Sequence, residues 1–276
     1  MLKETFVLSN GVHIPKVGFG TWQVPNGDIA YQAVKDALEV GYIHIDTAYV
    51  YENEISVGQA IKDSKLDRKN LFITSKLPSH IKDYNETETY FHESLKRLEM
   101  SYLDLFLIHA PWPWSNIGQD CKAGNAEAWK KMIELFQAKK IRAIGVSNFN
   151  VDDLKDLIQR TGFVPHVNQI AFFAGHYQKQ KETIAFCKEH HILVEAYSPL
   201  AIGHALNTPL VLTLAEKYDK TPAQILIRYT LEHGTLPLPK STKKARMFEN
   251  ADLDFTLDQK DIEALDVLNE DPRRFG

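Results

Sequence analysis

A chain of 276 residues, 44% hydrophobic and 25% charged, has the composition of an ordinary globular protein and the length of one (β/α)8 barrel, which needs about 250 residues, or of two smaller domains. Its formal net charge of -4, with lysines and arginines spread along the chain, lacks the basic footprint of a nucleic-acid binder. No apolar run approaches the roughly 18 residues of a membrane span, and the opening MLKETFVLSNG has no signal-peptide core, so a cytoplasmic monomer with neither nucleic acid nor membrane as partner is expected.

Near the start, FVLSNGVHIPKV sets two short apolar stretches around Asn10-Gly11, a dipeptide suited to positive φ at both turn positions, and predicts a β-hairpin. Beyond it, short apolar stretches alternate with longer segments of helical period, the pattern of repeated βα units around a parallel sheet. The first strand of the series is predicted at Val17 to Thr21, followed by a helix over Asp28 to Val40 that Gly41 stops. Further strands are predicted at Tyr42 to Asp46, Leu71 to Lys76, Asp104 to His109, Ile141 to Ser147, Val167 to Ile170, Ile192 to Tyr197 and Thr235 to Pro239. Before the last of these, Thr208-Pro209 and Thr221-Pro222 each pair an N-cap with proline at the first helical position. Most of the strands are continuously apolar, as strands buried on both faces must be.

Eight βα units use the whole length and no linker divides it, so one (β/α)8 TIM-barrel domain over residues 1–276, with an N-terminal hairpin, is expected. A doubly wound sheet is the rival, but GFGTWQ offers only the first two glycines of a GxGxxG turn. Cys121 and Cys187 lack CxxC or metal-ligand spacing and are assigned no role, and no HxH pair or convergent carboxylate cluster suggests a metal.

In a barrel of this kind the reacting groups sit at the C-terminal ends of the strands. The second strand ends at Asp46, with Tyr51 just beyond it in DTAYVYENE; the third ends at Lys76 and the fourth at His109. A phenol is a poor proton donor near neutrality, and a buried cation beside it would stabilise the phenolate and bring its pKa down. Lys76 is expected to be that cation, Asp46 to keep it charged and oriented, and a neutral His109 to hold a substrate carbonyl oxygen. Taken singly, each residue has a structural explanation as a cap, a packing ring or a snorkelling lysine; four compatible groups on one rim point to general acid catalysis.

The sequence resembles the aldo-keto reductases from the hairpin nearly to the C-terminus. The resemblance rests on GFGTW at 18–22, IDTAYVYENE at 45–54, LFITSKL at 71–77, YLDLFLIH at 102–109, IGVSNF at 144–149, VNQI at 167–170, AYSPLA at 196–201 and PKSTKKARMFEN at 239–250. It is nearest to bacterial members that reduce small aldehydes, α-dicarbonyls and keto-sugars with NADPH, and it implies the tetrad Asp46, Tyr51, Lys76 and His109. It further implies that Ser147, Asn148 and Gln169 hold the nicotinamide carboxamide, that Tyr197 stacks on the ring, and that Ser198 and Leu200 lie in a loop over the pyrophosphate. Lys240, Ser241, Thr242 and Arg246 would receive the adenosine 2′-phosphate at a helix N-terminus, which favours anions through its free N–H groups and dipole. Glu249 and Asn250 would contact adenine. Trp22, Tyr51, His109 and Trp112 would line the substrate pocket.

Three positions depart from the family pattern: Ala110 and Pro78 stand where tryptophan is usual, and Ala171 where glutamate is usual. They bear on substrate choice, and Trp112 and Trp114 are candidates to refill the volume left by Ala110. The terminal NEDPRRFG is shorter than the family's covering loop, so a more open, weakly selective pocket is expected. Two other functions are compatible with the same barrel: a non-catalytic NADP-binding regulatory subunit, and an NADP-dependent alcohol or hydroxysteroid dehydrogenase.

Overall fold

The computed structural model describes residues 1–268; the terminal NEDPRRFG, and with it the expectation of a short cover, lies outside the described residues. Strands β1 (Thr5–Val7) and β2 (His13–Pro15) form the expected antiparallel hairpin. Its turn differs from the two-residue Asn-Gly loop expected. Leu8 N donates to Val12 O (2.9 Å) and Gly11 N to Leu8 O (2.8 Å), which leaves a three-residue loop with Gly11 alone at positive φ (82°). The reason is tertiary: Leu8 and Ile14 point into the barrel floor, and Asn10 Nδ2 is tied to the carbonyl of Arg142 (3.0 Å).

Eight parallel strands follow, each succeeded by helix. They are β3 (Phe19–Gly20) with α1 (Asp28–Val40), β4 (His44–Asp46) with α2 (Glu54–Asp63), β5 (Phe72–Leu77) with α3 (Tyr84–Leu98), and β6 (Leu103–Ile108) with α4 (Lys122–Gln137). Then come β7 (Ile141–Ser147) with α5 (Val151–Thr161), β8 (Val167–Ala171) with α6 (Tyr177–Glu189), and β9 (Leu193–Tyr197) with α7 (Pro209–Tyr218) and α8 (Pro222–Glu232). The series ends with β10 (Leu236–Leu238), α9 (Lys244–Ala251) and α10 (Gln259–Asp266). The strands pair in sequence from β3 to β10, and Gly18 N to Pro237 O (3.1 Å) with Gly20 N to Pro239 O (3.0 Å) close the ring. Thr221 caps α8 through a capping box with Gln224, and Gly41 ends α1 in the left-handed conformation.

Alternation along the strands decides where chemistry can sit. Every second residue faces the barrel interior, and at its lower end these are apolar: Phe72, Leu105, Ala143, Val167 and Leu236, with Leu8 and Ile14 of the hairpin beneath them. The outward positions pack against the helices in a second, larger apolar cluster that includes Ile45, Ile73, Phe106, Ile144 and Ile170. Above the floor the inward positions turn polar, at Asp46, Lys76, Ser147, Gln169 and Tyr197 among others. Gly145 is the tightest point of this wall: a Cβ there would lie 2.5 Å from the Val167 carbonyl oxygen.

Candidate active site

Asp46 closes β4, and the chain then makes a single 3-10 turn at Tyr49–Tyr51 that carries the phenol back over the barrel mouth. Lys76 is the penultimate residue of β5 and His109 follows β6 directly. Lys76 is fully buried and Nζ donates three hydrogen bonds: to Asp46 Oδ1 (2.7 Å), to the Thr47 carbonyl (2.9 Å) and to Tyr51 Oη (3.4 Å). With the ammonium donating to the phenol oxygen, the phenol's own proton is left for the mouth of the barrel, where His109 Nε2 lies 3.5 Å away.

The electrostatics partly reverse the expectation for Tyr51. Burial raises the phenol's pKa, Lys76 opposes it, and the nearby Asp46 carboxylate adds to the rise; the net direction is up. The enclosure that keeps water out penalises the phenolate more than one ammonium at 3.4 Å repays. Lys76 therefore limits the cost of forming phenolate and does not bring the free phenol towards neutrality. Burial works against the charge on Lys76 itself, but Asp46 and the phenol oxygen outweigh it and raise its pKa, so the ammonium persists. Burial, then the repulsion of Lys76, holds His109 well below the usual imidazole range, which leaves it neutral as expected.

A groove of about 830 Å³ runs past these residues. Trp22, Val50 and Trp114 line it, as do the cations Lys240 and Arg246. Of the residues expected to hold a cofactor, Ser147, Asn148, Gln169, Tyr197, Ser198, Leu200, Lys240 and Arg246 line it. Ser241, Thr242, Glu249 and Asn250 do not: Ser241 is buried in a local turn with Lys243, Asn250 is buried, and Thr242 and Glu249 are exposed on the α9 side. Lys244, in the same basic run, is engaged with Glu39 of α1. Trp112, expected in the substrate pocket, is half-buried and does not line the groove. Trp114 stands there instead, its ring centroid 6.3 Å from that of His109, and Trp112 packs edge-on behind it at 4.8 Å. Ala171 also lines the groove, whereas Ala110 is fully buried.

Two features of the groove fit an elongated nucleotide. Asn148, Ser198, Ala201 and Ile202 all hold positive φ (63°, 53°, 49° and 55°) without being glycine, a strain that tends to collect where backbone is shaped around a ligand. The N-cap of α9, Lys243, makes no side-chain cap, and the groove-lining cations Lys240 and Arg246 stand just before it and in the first turn of the helix. The side chains near Tyr197 are preorganised: Tyr197 Oη donates to Asn148 Oδ1 (2.8 Å), and Asn148 Nδ2 donates to the His109 carbonyl (3.0 Å) and Ser147 Oγ (2.9 Å). Gln169 sends both N–H groups of Nε2 inward, to Asp46 Oδ2 (2.9 Å) and Glu195 Oε2 (2.8 Å), leaving its carbonyl oxygen as the remaining polar atom.

Glu195 and His44 are polar members of this interior that the sequence reading passes over. Both are fully buried. The available signal was a polar residue inside an apolar barrel strand, at even spacing from an inward-facing neighbour: ILVEAY puts Glu195 two before Tyr197, and YIHID puts His44 two before Asp46.

Comparison with known proteins bears on the same groove. The sequence model of the aldo/keto reductase family matches residues 16–270. The chain is 43% identical to a glyoxal reductase of Bacillus subtilis, over 99% of this chain and 95% of that protein. Among solved structures, an aldo/keto reductase from Brucella melitensis superposes with a TM-score of 0.87 at 41% identity, over 95% of this chain and 98% of that one. An aldo-keto reductase from Bombyx mori, in complex with NADP, gives a TM-score of 0.86 at 34% identity, over 96% and 92%.

Proposed function

This chain belongs to the aldo/keto reductase family, and we propose that it reduces small aldehydes, α-dicarbonyls or keto-sugars with NADPH, Tyr51 giving its proton to the developing alkoxide. Carbonyl reduction follows from the family and its reductase relatives. The observation that supports the finer reading is the Lys76–Tyr51–His109 chain, with oxygen and nitrogen atoms 3.4 and 3.5 Å apart, opening onto a groove that two cations also line.

When bound, the nicotinamide supplies the hydride that goes to the carbonyl carbon. The chain's own residues do the rest. Neutral His109 and Tyr51 hold the carbonyl oxygen; as negative charge gathers on it, the phenol proton moves to that oxygen and the alcohol forms. The phenolate left behind faces the Lys76 ammonium, which Asp46 keeps charged. A raised phenol pKa keeps the donor protonated through neutrality, ready for the developing alkoxide, and Lys76 limits the cost of the phenolate that remains. The Tyr197 ring and the Asn148 and Gln169 amides would fix the reacting faces, making hydride delivery a positioned step.

NADPH is favoured over NADH in this reading because Lys240 and Arg246, which line the groove, would meet a 2′-phosphate. Each charge-assisted hydrogen bond contributes about 1.5 to 3 kcal/mol, so two give a preference on the order of 10²-fold or more, at about 1.4 kcal/mol per factor of ten. Both side chains are exposed, so salt should erode the preference. The test is NADPH oxidation against glyoxals, aromatic aldehydes, keto-sugars and ketosteroids, with paired dissociation constants for NADPH and NADH. Arg246→Ala should weaken NADPH far more than NADH. Equal affinities in the wild type would reject the phosphate site, and binding without turnover across the panel would reject the enzyme.

A further inference from the structure

Beneath the four-residue rim the barrel holds a second polar layer that the proposed reaction leaves unused. Glu195 sits at its centre, in the middle of β9. Its Oε2 accepts from Gln169 Nε2 at 2.8 Å, and the same nitrogen donates to Asp46 Oδ2 at 2.9 Å. One amide nitrogen thus bridges two buried carboxyl groups. Oε1 has no hydrogen-bond partner and lies 3.8 Å from His44 Nε2. The groups facing Glu195 are His44 and Asp46 from β4, Lys76 from β5 and Gln169 from β8, with Thr74 of β5 bonded to His44 Nε2 (3.0 Å) and apolar Leu236 in register on β10.

A charge count decides the state of this layer. Lys76 is the cation among these groups and Asp46 already balances it at 2.7 Å. His44 adds no positive charge, since burial and then Lys76 push it down to about 3. A second carboxylate would leave a net negative charge with no water to solvate it, which is costly enough that such a group takes up a proton. Burial, and then the neighbouring Asp46, push Glu195 up to about 8.

We propose that Glu195 is a positioning residue that works as a neutral carboxylic acid, sharing the Gln169 amide nitrogen with Asp46 and so fixing both the carboxylate under Lys76 and the end of Gln169 that faces the groove. The assignment rests on the reading of Tyr51 as donor and Gln169 as a cofactor contact. Loss of the Glu195 proton places a second negative charge within the field of Lys76, makes the Tyr51 phenolate harder to form, and slows reduction. The same ionisation strains the fold. A carboxyl with a raised folded pKa contributes its full stability below the unfolded value and loses it as pH climbs through the folded one.

Glu195→Gln keeps the shape and the neutral charge but cannot ionise. Wild-type turnover is expected to fall several-fold between pH 7 and pH 9, while the variant stays within threefold of wild type at pH 7 and holds its rate across that range. The second readout needs neither turnover nor cofactor. Infrared spectra of the cofactor-free wild type at pH 7 should contain a protonated-carboxyl C=O band that disappears by pH 10 and is missing from Glu195→Gln. Thermal unfolding should show the variant gaining on wild type as pH rises from 5 to 8. A variant that keeps the wild-type alkaline fall, or a wild type with no such band at pH 7, overturns the assignment alone. A fully active Tyr51→Phe variant overturns it together with the reading on which it rests, and the infrared band then persists.

Discussion

Removing the buried cation tests how the polar rim is held. In Lys76→Met the replacement nearly matches the volume of the side chain, so cavity effects are small and the change is electrostatic. Three donated bonds disappear, to Asp46, Thr47 and Tyr51. The Asp46 carboxylate, 4% exposed, is left with the Gln169 amide as its partner. Stripping one member from a buried ion pair costs about 3–5 kcal/mol, because the other charge remains without compensation. The expected loss in urea unfolding at pH 7 is therefore about 3–5 kcal/mol, seen as a lower midpoint with an unchanged slope. Adding Asp46→Asn removes the orphaned charge, and the double variant should recover at least half of the loss. Equal losses in the single and double variants, or a single loss below about 1 kcal/mol, would show that the pair is not the electrostatic unit described.

Gly145→Ala would place a methyl 2.5 Å from the Val167 carbonyl oxygen and 2.7 Å from Leu107 Cδ2; at the seam of β7 and β8 it should destabilise by about 1–3 kcal/mol, and a melting temperature unchanged from wild type would refute the close fit. Burial holds His109 neutral far below 6.5 and raises the Tyr51 phenol, so kcat/KM for reduction should be flat from pH 6 to 7.5. An inflection near 6.5 would instead bring an imidazolium into the reaction.

Much of this arrangement is legible in the sequence because it depends on period and punctuation. Alternating apolar strands and helical segments predict the eight βα units, and Gly41 and the Thr-Pro pairs place helix ends from local chemistry alone; α1 runs from Asp28 to Val40 as expected. The rim is legible for a related reason: strand ends predict where polar residues converge. What the sequence hides depends on packing. The hairpin turn is set by the seating of Leu8 and Ile14 in the barrel floor and not by the Asn-Gly preference. Which tryptophan meets the groove is a matter of loop direction, and Trp114 takes the place expected of Trp112. The upward shift of Tyr51 needs the depth of burial, which residue types do not carry. Glu195 joins the site through a glutamine 26 positions away, a partnership visible only once β8 and β9 lie side by side.

The central claim is that Tyr51 is the proton donor, and single-turnover reduction of a glyoxal by Tyr51→Phe with saturating NADPH tests it most directly. The variant keeps the ring and loses the proton. The rate of the chemical step should fall by roughly 10²- to 10⁴-fold while the dissociation constant for NADPH stays within a few-fold of wild type. A rate within threefold of wild type would contradict the account.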